Sequence, residues 1–257
     1  MKRFAMIGVA GYIAPRHMKA IKELGGTLVA AYDVSDSVGI IDSISPDSEF
    51  FTEFERFAHY INQLQRNPET KVDYMSICSP NYLHLPHIVL SLKMGCDVIC
   101  EKPLVLSEAD LEEIKAVEKE TGKRLYNILQ LRLHDSVKKL KQKIEQELAE
   151  DPQKQYQCEI QYITSRGKWY QESWKGDIRK SGGVATNIGV HFFDLLYHLF
   201  GEPIVNEKDF QGSHSSKGHL KFQNATVDWF LSVDSNDLPD EVKGKQSTFR
   251  AIKIGDE

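Results

Sequence analysis

Apolar runs of four to seven residues recur through the first half of the chain, and a longer amphipathic segment follows each of the first four. The runs cover residues 3–7, 27–32, 73–79, 97–100 and 124–127, and helical patterns cover residues 13–24, 49–64, 83–94 and 107–121. Strands that alternate with helices at this spacing form βαβ units with right-handed connections. The first half therefore predicts an α/β Rossmann domain, a doubly wound parallel sheet covered by helices.

The pattern changes after about residue 150, at the polar segment Asp151-Pro152-Gln153. Residues 156–164 alternate between apolar and polar side chains, which is typical of a strand with one face in water. Further strands are predicted around Phe210 and over residues 220–222, 226–233 and 248–254, with one helix over residues 187–200. We assign residues 1–127 to the first domain and residues 128–257 to an α+β domain with a mostly antiparallel open sheet.

Composition and charge narrow the classes of protein that the chain can represent. Its 257 residues carry a net charge of −5 and no stripe of Lys and Arg, which argues against a nucleic-acid partner. The four cysteines form no CxxC pair, so we expect buried free thiols, no metal and a reducing compartment. The apolar N-terminal stretch contains glycines and is too short to span a membrane. We expect a cytoplasmic protein without a membrane partner.

A glycine turn joins the first predicted strand to the first predicted helix. Gly8, Gly11 and Ala14 form a GxxGxxA spacing in place of GxGxxG. Such a turn lets the backbone approach a pyrophosphate at the helix N-terminus. Asp33 ends the next strand, where an acid would bind the ribose hydroxyls of a dinucleotide and repel a 2′-phosphate. The motif predicts NAD rather than NADP, with an ordinary βαβ turn as the alternative.

The third predicted strand ends in Ser79, and Asn81 and His84 follow it at the start of a helix. A doubly wound sheet binds its ligand at the carboxyl ends of its strands, so these side chains are candidates for contact with a ligand. Asn81 is also a candidate N-cap of the helix. His87 lies one turn further on, and we expect it on the helix surface.

The fourth predicted strand ends in the tripeptide Glu101-Lys102-Pro103. A lysine at this place would lie near the nicotinamide. Partial burial and a neighbouring cation lower the pKa of an amine, as proton transfer by a lysine requires. A surface lysine paired with Glu101 is the alternative.

The second domain contributes two motifs. After Gly182-Gly183, a predicted helix places Asn187 and His191 four residues apart on one face, which Asp194 and His198 extend. Residues 166–177 combine cations with aromatic and hydroxyl side chains, which suits a polyanionic ligand that contains a sugar. A solvated connection anchored by two tryptophans is the alternative for this loop.

Together these motifs resemble those of the Gfo/Idh/MocA oxidoreductases. The Glu-Lys-Pro tripeptide and the block over residues 182–194, in this order, are the specific pair. Within the family the resemblance is closest to bacterial UDP-N-acetylglucosaminuronate 3-oxidases, through residues 11–18, 36–46, 78–84, 96–104, 124–132 and 173–177. Family members usually continue past the position of Glu257 through more sheet and a closing helix, so we expect the second domain to be incomplete at its C-terminus.

The resemblance implies NAD-dependent oxidation of the C3 hydroxyl of UDP-2-acetamido-2-deoxy-D-glucuronate to a ketone, within the biosynthesis of a diacetamido uronic acid for lipopolysaccharide. Carried over by position, Lys102 and His191 are the catalytic pair. We assign proton removal to His191 and electrostatic support to Lys102, and the reverse assignment stays open. Much of the family has an aspartate at the position of Asn187, and the 3-oxidase subgroup shares the asparagine. The neutral amide of Asn187 cannot act as a base. A homotetramer, formed through the open face of the second sheet, and reoxidation of NADH by 2-oxoglutarate are also implied.

The motifs and the resemblance give two sets of candidate residues. Cofactor contacts are expected from Gly8, Gly11, Tyr12, Ile13, Asp33, Asp36, Ser37, Ser79, Asn81, His84, Glu101, Lys102 and Gln130. Substrate contacts are expected from Lys102, Arg132, Arg166, Tyr170, Ser173, Trp174, Lys175, Asn187 and His191, with Asn187 orienting the sugar. Two other functions stay open: a family dehydrogenase for another sugar or polyol, and a non-catalytic sensor of NAD or a sugar nucleotide.

Overall fold

A computed structural model describes residues 1–255 and divides the chain into two compact units. The first unit is Met1–Ile128, and the second begins at Leu129. The first contains a parallel sheet with helices, and the second contains a mixed, mostly antiparallel sheet. The predicted α/β and α+β fold classes are therefore confirmed.

The first unit is a six-stranded sheet in the order β3-β2-β1-β4-β5-β6, with every neighbouring pair parallel. Its strands are β1 (Arg3–Ile7), β2 (Thr27–Tyr32), β3 (Glu49–Phe51), β4 (Tyr74–Ile77), β5 (Asp97–Cys100) and β6 (Leu125–Asn127). Its helices are α1 (Ala14–Glu23), α2 (Ile40–Ile44), α3 (Phe54–Leu64), α4 (His84–Lys93) and α5 (Glu108–Thr121). The chain reverses direction across the sheet between β1 and β4, and this is where a doubly wound fold binds ligands.

Strand β1 is buried on both faces, which explains why its sequence reads as a continuous apolar run. Ala5 and Ile7 face one core cluster, which includes side chains of α3, α4 and α5. Phe4 and Met6 face a second cluster, which includes side chains of α1 and α2. Side chains of adjacent strand residues point to opposite faces, so one short strand serves both layers of helices.

The helix predicted over residues 49–64 is wrong in its first five residues. Glu49–Phe51 is instead a short edge strand paired in parallel with β2, and the helix α3 begins only at Phe54. The main-chain N–H of Asp33 donates to the carbonyl oxygen of Phe51, which ties the end of this strand to the end of β2. Pairing with a distant strand overrides the local helical pattern here, because aromatic residues favour strands.

The second unit is a five-stranded sheet in the order β11-β7-β10-β9-β8, in which only β7 and β10 are parallel. Its strands are β7 (Tyr156–Thr164), β8 (Val205–Gln211), β9 (Ser215–Lys221), β10 (Ala225–Ser232) and β11 (Thr248–Ile254). Its helices are α6 (Asp135–Glu150), α7 (Lys168–Glu172), α8 (Ile178–Ser181) and α9 (Val190–Phe200). Helix α6, of 16 residues, was not predicted from the sequence.

One face of the second sheet forms the core of this unit, and the other is polar. In β7, Tyr156, Cys158 and Ile160 are buried, while Gln157 and Glu159 are exposed. The buried face contacts side chains of α6 and α9 in a single cluster. The apolar and polar residues of β7 therefore alternate because one face of the sheet lies in water, as the sequence indicates.

Two further features concern the whole described chain. All four cysteines are free and buried, as expected from the sequence. Within residues 1–255, no helix is long and apolar enough to cross a lipid bilayer.

Gly8, directly after β1, provides a test of how tightly the turn is packed. Its φ of +87° is unfavourable for other residues, and a Cβ there would lie 2.6 Å from the carbonyl carbon of Cys78. Gly25 has a similar φ of +71° but no neighbouring atom within 4 Å of a Cβ. We expect Gly25→Ala to lower the free energy of unfolding by about 1–2 kcal/mol, the usual cost of this backbone conformation.

We expect Gly8→Ala to cost at least about 2 kcal/mol more than Gly25→Ala, because backbone atoms must also move. Urea unfolding followed by circular dichroism would measure both. Equal costs for the two variants would show that the contact with Cys78 is not restrictive.

Candidate active site

The glycine turn after β1 is shaped by main-chain hydrogen bonds and by one carboxylate. The N–H of Gly8 donates to the carbonyl oxygen of Tyr32 at 2.8 Å, and the N–H of Gly11 donates to that of Gly8 at 3.2 Å. Asp33 accepts from the N–H of Ala10 at 2.9 Å through Oδ2 and from the N–H of Ser35 at 2.9 Å through Oδ1. The residue at the end of β2 therefore stabilises the turn at the end of β1.

The turn is suited to a dinucleotide. The start of α1 has no side-chain N-cap, and the positive end of its dipole favours a phosphate there. Within its first turn, the N–H groups of Ala14 and Arg16 already donate to the carbonyl oxygens of Gly11 and Ile13 at 3.1 and 3.0 Å. Tyr12 is exposed beside it, while Ile13 packs against the core. Asp36 and Ser37, which follow Asp33, are exposed as well. The carboxylate oxygens of Asp33 have lone pairs beyond those that the main chain uses, so they can still accept from ribose hydroxyls.

The residues after β4 are more deeply buried than the sequence suggested. Asn81 is 5% exposed and lies in a short 3₁₀ turn; the N-cap of α4 is Leu83, so the alternative role of Asn81 as the N-cap of this helix is wrong. His87 is 8% exposed, so its predicted place on the helix surface is wrong too. Its Nδ1 lies 2.9 Å from Ser79 Oγ, and its ring packs 5.1 Å from that of Phe54 on α3. This face of α4 therefore belongs to the core.

His84 is 1% exposed, and both of its ring nitrogens face main-chain carbonyl oxygens. Nδ1 lies 2.8 Å from the oxygen of Pro103, and Nε2 lies 2.9 Å from that of Ser79. The ring therefore connects the end of β4 to the segment after β5. The cofactor contact predicted for His84 stays a prediction, and its ring nitrogens are already engaged within the protein.

Glu101, at the end of β5, is held by a histidine that the sequence reasoning missed. His17 of α1 lies 3.0 Å from Glu101 Oε1 through Nε2 and 2.9 Å from Ser76 Oγ through Nδ1. Burial would raise the pKa of Glu101, but the hydrogen bond and charge of His17, with the N–H and charge of Lys102, lower it below its ordinary value. Lys102 follows directly, half-buried, and its peptide bond to Pro103 is cis.

In the second unit, Tyr170 anchors the predicted substrate loop. It is 4% exposed, and its hydroxyl accepts from Asn187 Nδ2 at 3.2 Å. Burial raises the pKa of Tyr170, so the phenol stays protonated. The guanidinium of Arg166 lies 6.0 Å from the centre of its ring. Ser173 donates to the carbonyl oxygen of Tyr170 at 2.9 Å, so its hydroxyl shapes the loop.

The same loop holds a lysine against two indole rings. Lys175 Nζ lies 4.4 Å from the centre of the Trp174 ring and 5.7 Å from that of Trp169. Burial and, to a smaller extent, the charge of Arg166 lower the pKa of Lys175. Within residues 1–255, neither Arg166 nor Lys175 forms an ion pair with a carboxylate. The loop therefore brings two cations together, and this arrangement favours the binding of an anion.

The segment before α9 departs from the predicted helix. Residues Ala185–Gly189 form a π-helical turn, and the α-helix begins only at Val190. Asn187 therefore lies before the helix that carries His191, and the single α-helical face predicted for them is wrong at its start. Such turns often occur at functional sites. His191 is partly buried, with its Nδ1 enclosed by protein.

Arg132 forms an ion pair with Asp194 of α9, the shortest contact being between Nη2 and Oδ1. This hydrogen-bonded pair raises the pKa of Arg132, and the contact fixes the turn Gln130–Leu133 against α9. Gln130 is exposed at the start of that turn. The substrate contact of Arg132 and the cofactor contact of Gln130 remain predictions.

The structure thus gathers the candidates into one set in each unit. The first unit collects Gly8, Gly11, Asp33, Ser79, Glu101 and Lys102 at the carboxyl edge of the parallel sheet. The second collects Arg166, Tyr170, Lys175 and Asn187 around one loop. The first set can hold a dinucleotide, and the second can hold an anionic ligand with a flat or sugar-like part.

Comparison with known families identifies both units. Residues 2–128 match the Gfo/Idh/MocA profile described as an oxidoreductase family with an NAD-binding Rossmann fold. Residues 141–256 match the companion profile, described as the C-terminal alpha/beta domain of the same oxidoreductase family.

Comparison with solved structures gives a similar protein over nearly the whole chain. The WlbA (WbpB) dehydrogenase from Thermus thermophilus, in complex with NAD and alpha-ketoglutarate, is 46% identical, with a TM-score of 0.93 over 99% of this chain and 81% of that one. Its complex with NAD and UDP-GlcNAcA has a TM-score of 0.92, at the same identity and coverage.

Among curated proteins, D-glucoside 3-dehydrogenase from Escherichia coli (strain K12) is 28% identical over 160 residues, which are 58% of this chain and 43% of that protein. The chain spans less than two thirds of the length of these curated relatives.

His87 gives a testable dependence of stability on pH. Burial, with a smaller contribution from the charge of His84, lowers the pKa of His87 to about 4, against about 6.5 in an unfolded chain. Between these values the unfolded state binds more protons, so stability is fully present above pH 6.5 and falls with pH. The loss due to His87 reaches about 3 kcal/mol by pH 4.

We expect His87→Gln to flatten the dependence of the urea midpoint on pH between 6.5 and 4. The remaining slope in this window includes His84, whose pKa burial also lowers. His59→Gln, at an exposed position on α3, is the control and should leave the slope unchanged. Identical slopes for the wild type and His87→Gln would contradict the buried, neutral state of His87.

Proposed function

The chain belongs to the Gfo/Idh/MocA oxidoreductase family, and within that family we propose that it oxidises the C3 hydroxyl of UDP-2-acetamido-2-deoxy-D-glucuronate. The product is the 3-keto sugar, and the hydride passes to NAD. The likeness to the Thermus thermophilus dehydrogenase, which was solved with NAD and UDP-GlcNAcA, supports this substrate. The proposed place of the reaction is the biosynthesis of a diacetamido uronic acid for lipopolysaccharide.

The observation that carries the proposal is the cationic aromatic loop of the second unit. Burial and, to a smaller extent, the charge of Arg166 lower the pKa of Lys175, yet the fold keeps the two cations together. A diphosphate would relieve this repulsion, and its charge would be matched by two positive groups. The exposed indole of Trp169 and the half-buried one of Trp174 offer flat faces for a base or a sugar. A neutral polyol would make no use of such a pair of cations.

The cofactor is assigned to the first unit, whose residues fit a dinucleotide. Gly8 keeps the turn close to the end of β4, and the positive end of the α1 dipole favours a pyrophosphate beside the turn. Asp33 accepts from ribose hydroxyls and disfavours the 2′-phosphate of NADP. When bound, NAD supplies the acceptor for the hydride that leaves C3.

The remaining chemistry is the removal of one proton from the C3 hydroxyl. We assign this step to His191 and the stabilisation of the developing alkoxide to the ammonium group of Lys102, with the reverse roles as the alternative. Asn187 is proposed to orient the sugar, since Tyr170 holds its side-chain amide in place. Its neutral amide cannot remove a proton, so it is no candidate for the base.

Two further parts of the proposal concern the complete reaction and the assembly. The second T. thermophilus complex contains alpha-ketoglutarate, which supports 2-oxoglutarate as the compound that reoxidises NADH in this chain. We also propose a homotetramer that assembles through the open face of the second sheet. Sedimentation equilibrium would measure the mass of this assembly directly.

The decisive experiment mixes the purified protein with NAD and UDP-2-acetamido-2-deoxy-glucuronate and follows reduction of the nicotinamide by absorbance. Reduction with the uronate but not with UDP-N-acetylglucosamine is the expected result. Subsequent loss of the signal on addition of 2-oxoglutarate is expected if that acid reoxidises NADH. Bound NAD without reduction by either sugar would overturn the proposed substrate and leave the family assignment intact.

A dehydrogenase of another sugar is the second candidate, because the curated relative from E. coli is a D-glucoside 3-dehydrogenase. The two functions differ in their need for cations in residues 166–177. A glucoside carries no diphosphate, so neutral substitutions in the loop would then have little effect on the binding of substrate.

For the UDP-sugar we expect Arg166→Gln and Lys175→Gln each to raise KM by about tenfold or more, since each removes about 1.5 kcal/mol or more of charge-assisted binding. The value of kcat should change less than KM, because the diphosphate is not the reacting group. Arg179→Gln is the matched control: its side chain is 86% exposed and paired with Asp177. An unchanged KM in the two loop variants would favour the second candidate.

A further inference from the structure

The segment that carries Lys102 has no regular secondary structure. After the N–H of Glu101 donates to the carbonyl oxygen of Ile77 at 3.0 Å, residues 101–107 belong to neither strand nor helix until α5 begins at Glu108. The hydrogen bonds of the sheet therefore stop one residue before the lysine. A cation that stabilises a developing alkoxide must be held within a fraction of an ångström, so other contacts have to fix this segment.

His84 provides such a contact from α4. Its ring is 1% exposed, with Nδ1 2.8 Å from the carbonyl oxygen of Pro103, the residue after Lys102. Its Nε2 lies 2.9 Å from the carbonyl oxygen of Ser79, just after β4. One buried ring thus spans from the rigid end of a central strand to the irregular segment.

The chemistry of the ring allows only one of these contacts to be a full hydrogen bond at a time. Burial lowers the pKa of His84, which favours the neutral imidazole, and a neutral imidazole carries a single N–H. A proton on Nδ1 bonds to Pro103, and a proton on Nε2 bonds to Ser79. Ser79 follows a strand that is fixed by pairing on both sides, whereas Pro103 has no strand to hold it.

We propose that His84 is a positioning residue for Lys102, and that its Nδ1–H donates to the carbonyl oxygen of Pro103. The bond holds the main chain on the C-terminal side of the lysine, while Glu101, bound to His17, holds the N-terminal side. His84 touches neither the reacting hydroxyl nor the hydride acceptor in this role. The inference rests on the role of Lys102 under the proposed function.

Asparagine and glutamine form a matched pair of variants at this position. The amide nitrogen of Asn can replace Nδ1, and that of Gln can replace Nε2, while both side chains are uncharged. We expect His84→Asn to keep kcat within about threefold of the wild type. We expect His84→Gln to lower kcat by about tenfold or more, with KM changed less than twofold, because misplacing a catalytic group can cost up to about a hundredfold.

A second readout does not depend on turnover. Competitive acetylation with acetic anhydride at a series of pH values, read by peptide mass spectrometry, gives the reactivity of each lysine. We expect the profile of Lys102 to match the wild type in His84→Asn and to shift in His84→Gln. Lys168, which is exposed on α7 of the other unit, is the internal control.

Equal losses of kcat in both variants, with an unchanged labelling profile of Lys102, would overturn the proposal and leave His84 with a packing role. Should either variant fail to fold, the ¹⁵N shifts of His84 in the wild-type protein decide the matter, since the proposal requires Nδ1 to carry the proton. If the wild type does not oxidise the uronate, the proposed function fails, and the labelling and the tautomer still test the positioning by His84.

Discussion

The carboxyl edge of the first unit depends on one steric constraint, the approach of the turn after β1 to the backbone just after β4. At Gly8 there is no space for even one methyl group between the two main chains. This approach leaves the turn close to the end of β2 as well, where Asp33 accepts from the N–H of Ala10. The ends of three strands are thus tied together before any ligand binds. A cofactor would meet a surface that needs little rearrangement, which lowers the entropic cost of binding.

The candidate residues of the second unit lie on short helices and turns rather than at strand ends. Buried Tyr170 fixes the loop through its ring and, through its hydroxyl, the amide of Asn187. The ion pair of Arg132 with Asp194 fixes the start of the unit against α9. Polar contacts between distant parts of the chain therefore order a region in which the local sequence specifies little regular structure. Such contacts have low tolerance for change, because a partner left unpaired in a partly buried place is costly.

Sequence periodicity was sufficient for five of the six strands of the first unit and for the alternation in β7, since burial on two faces or on one leaves a direct imprint on the sequence. It failed where distant partners decide. Glu49–Phe51 reads as the start of a helix but pairs with β2. Helix α6 was overlooked, although Val137, Leu140, Ile144 and Leu148 recur at helical spacing and pack on the core.

Side-chain partners were harder to predict than elements. The burial of His87 depends on Phe54, and the role of His17 depends on Glu101, which lies 84 residues away. No pattern along the chain records either pairing, and a single histidine in an amphipathic helix is compatible with both the surface and the core. The π-helical turn before α9 was not predicted either. Its extra residue per turn changes the direction in which side chains point, but it leaves no mark in the composition of the segment.

The positions of the three tryptophans make the intrinsic fluorescence of the second unit sensitive to two different events. Trp169 and Trp174 flank the ammonium group of Lys175 in the loop, whereas Trp229 is 4% exposed in the core beside Phe193. The fluorescence of an indole depends on nearby charge and on exposure to water. An anion that draws Lys175 away therefore changes the emission of Trp169 and Trp174 and leaves that of Trp229 constant. Trp229 responds only when the sheet itself comes apart. Occupancy of the loop and unfolding of the domain are thereby separable in one emission spectrum, without a dye or a label.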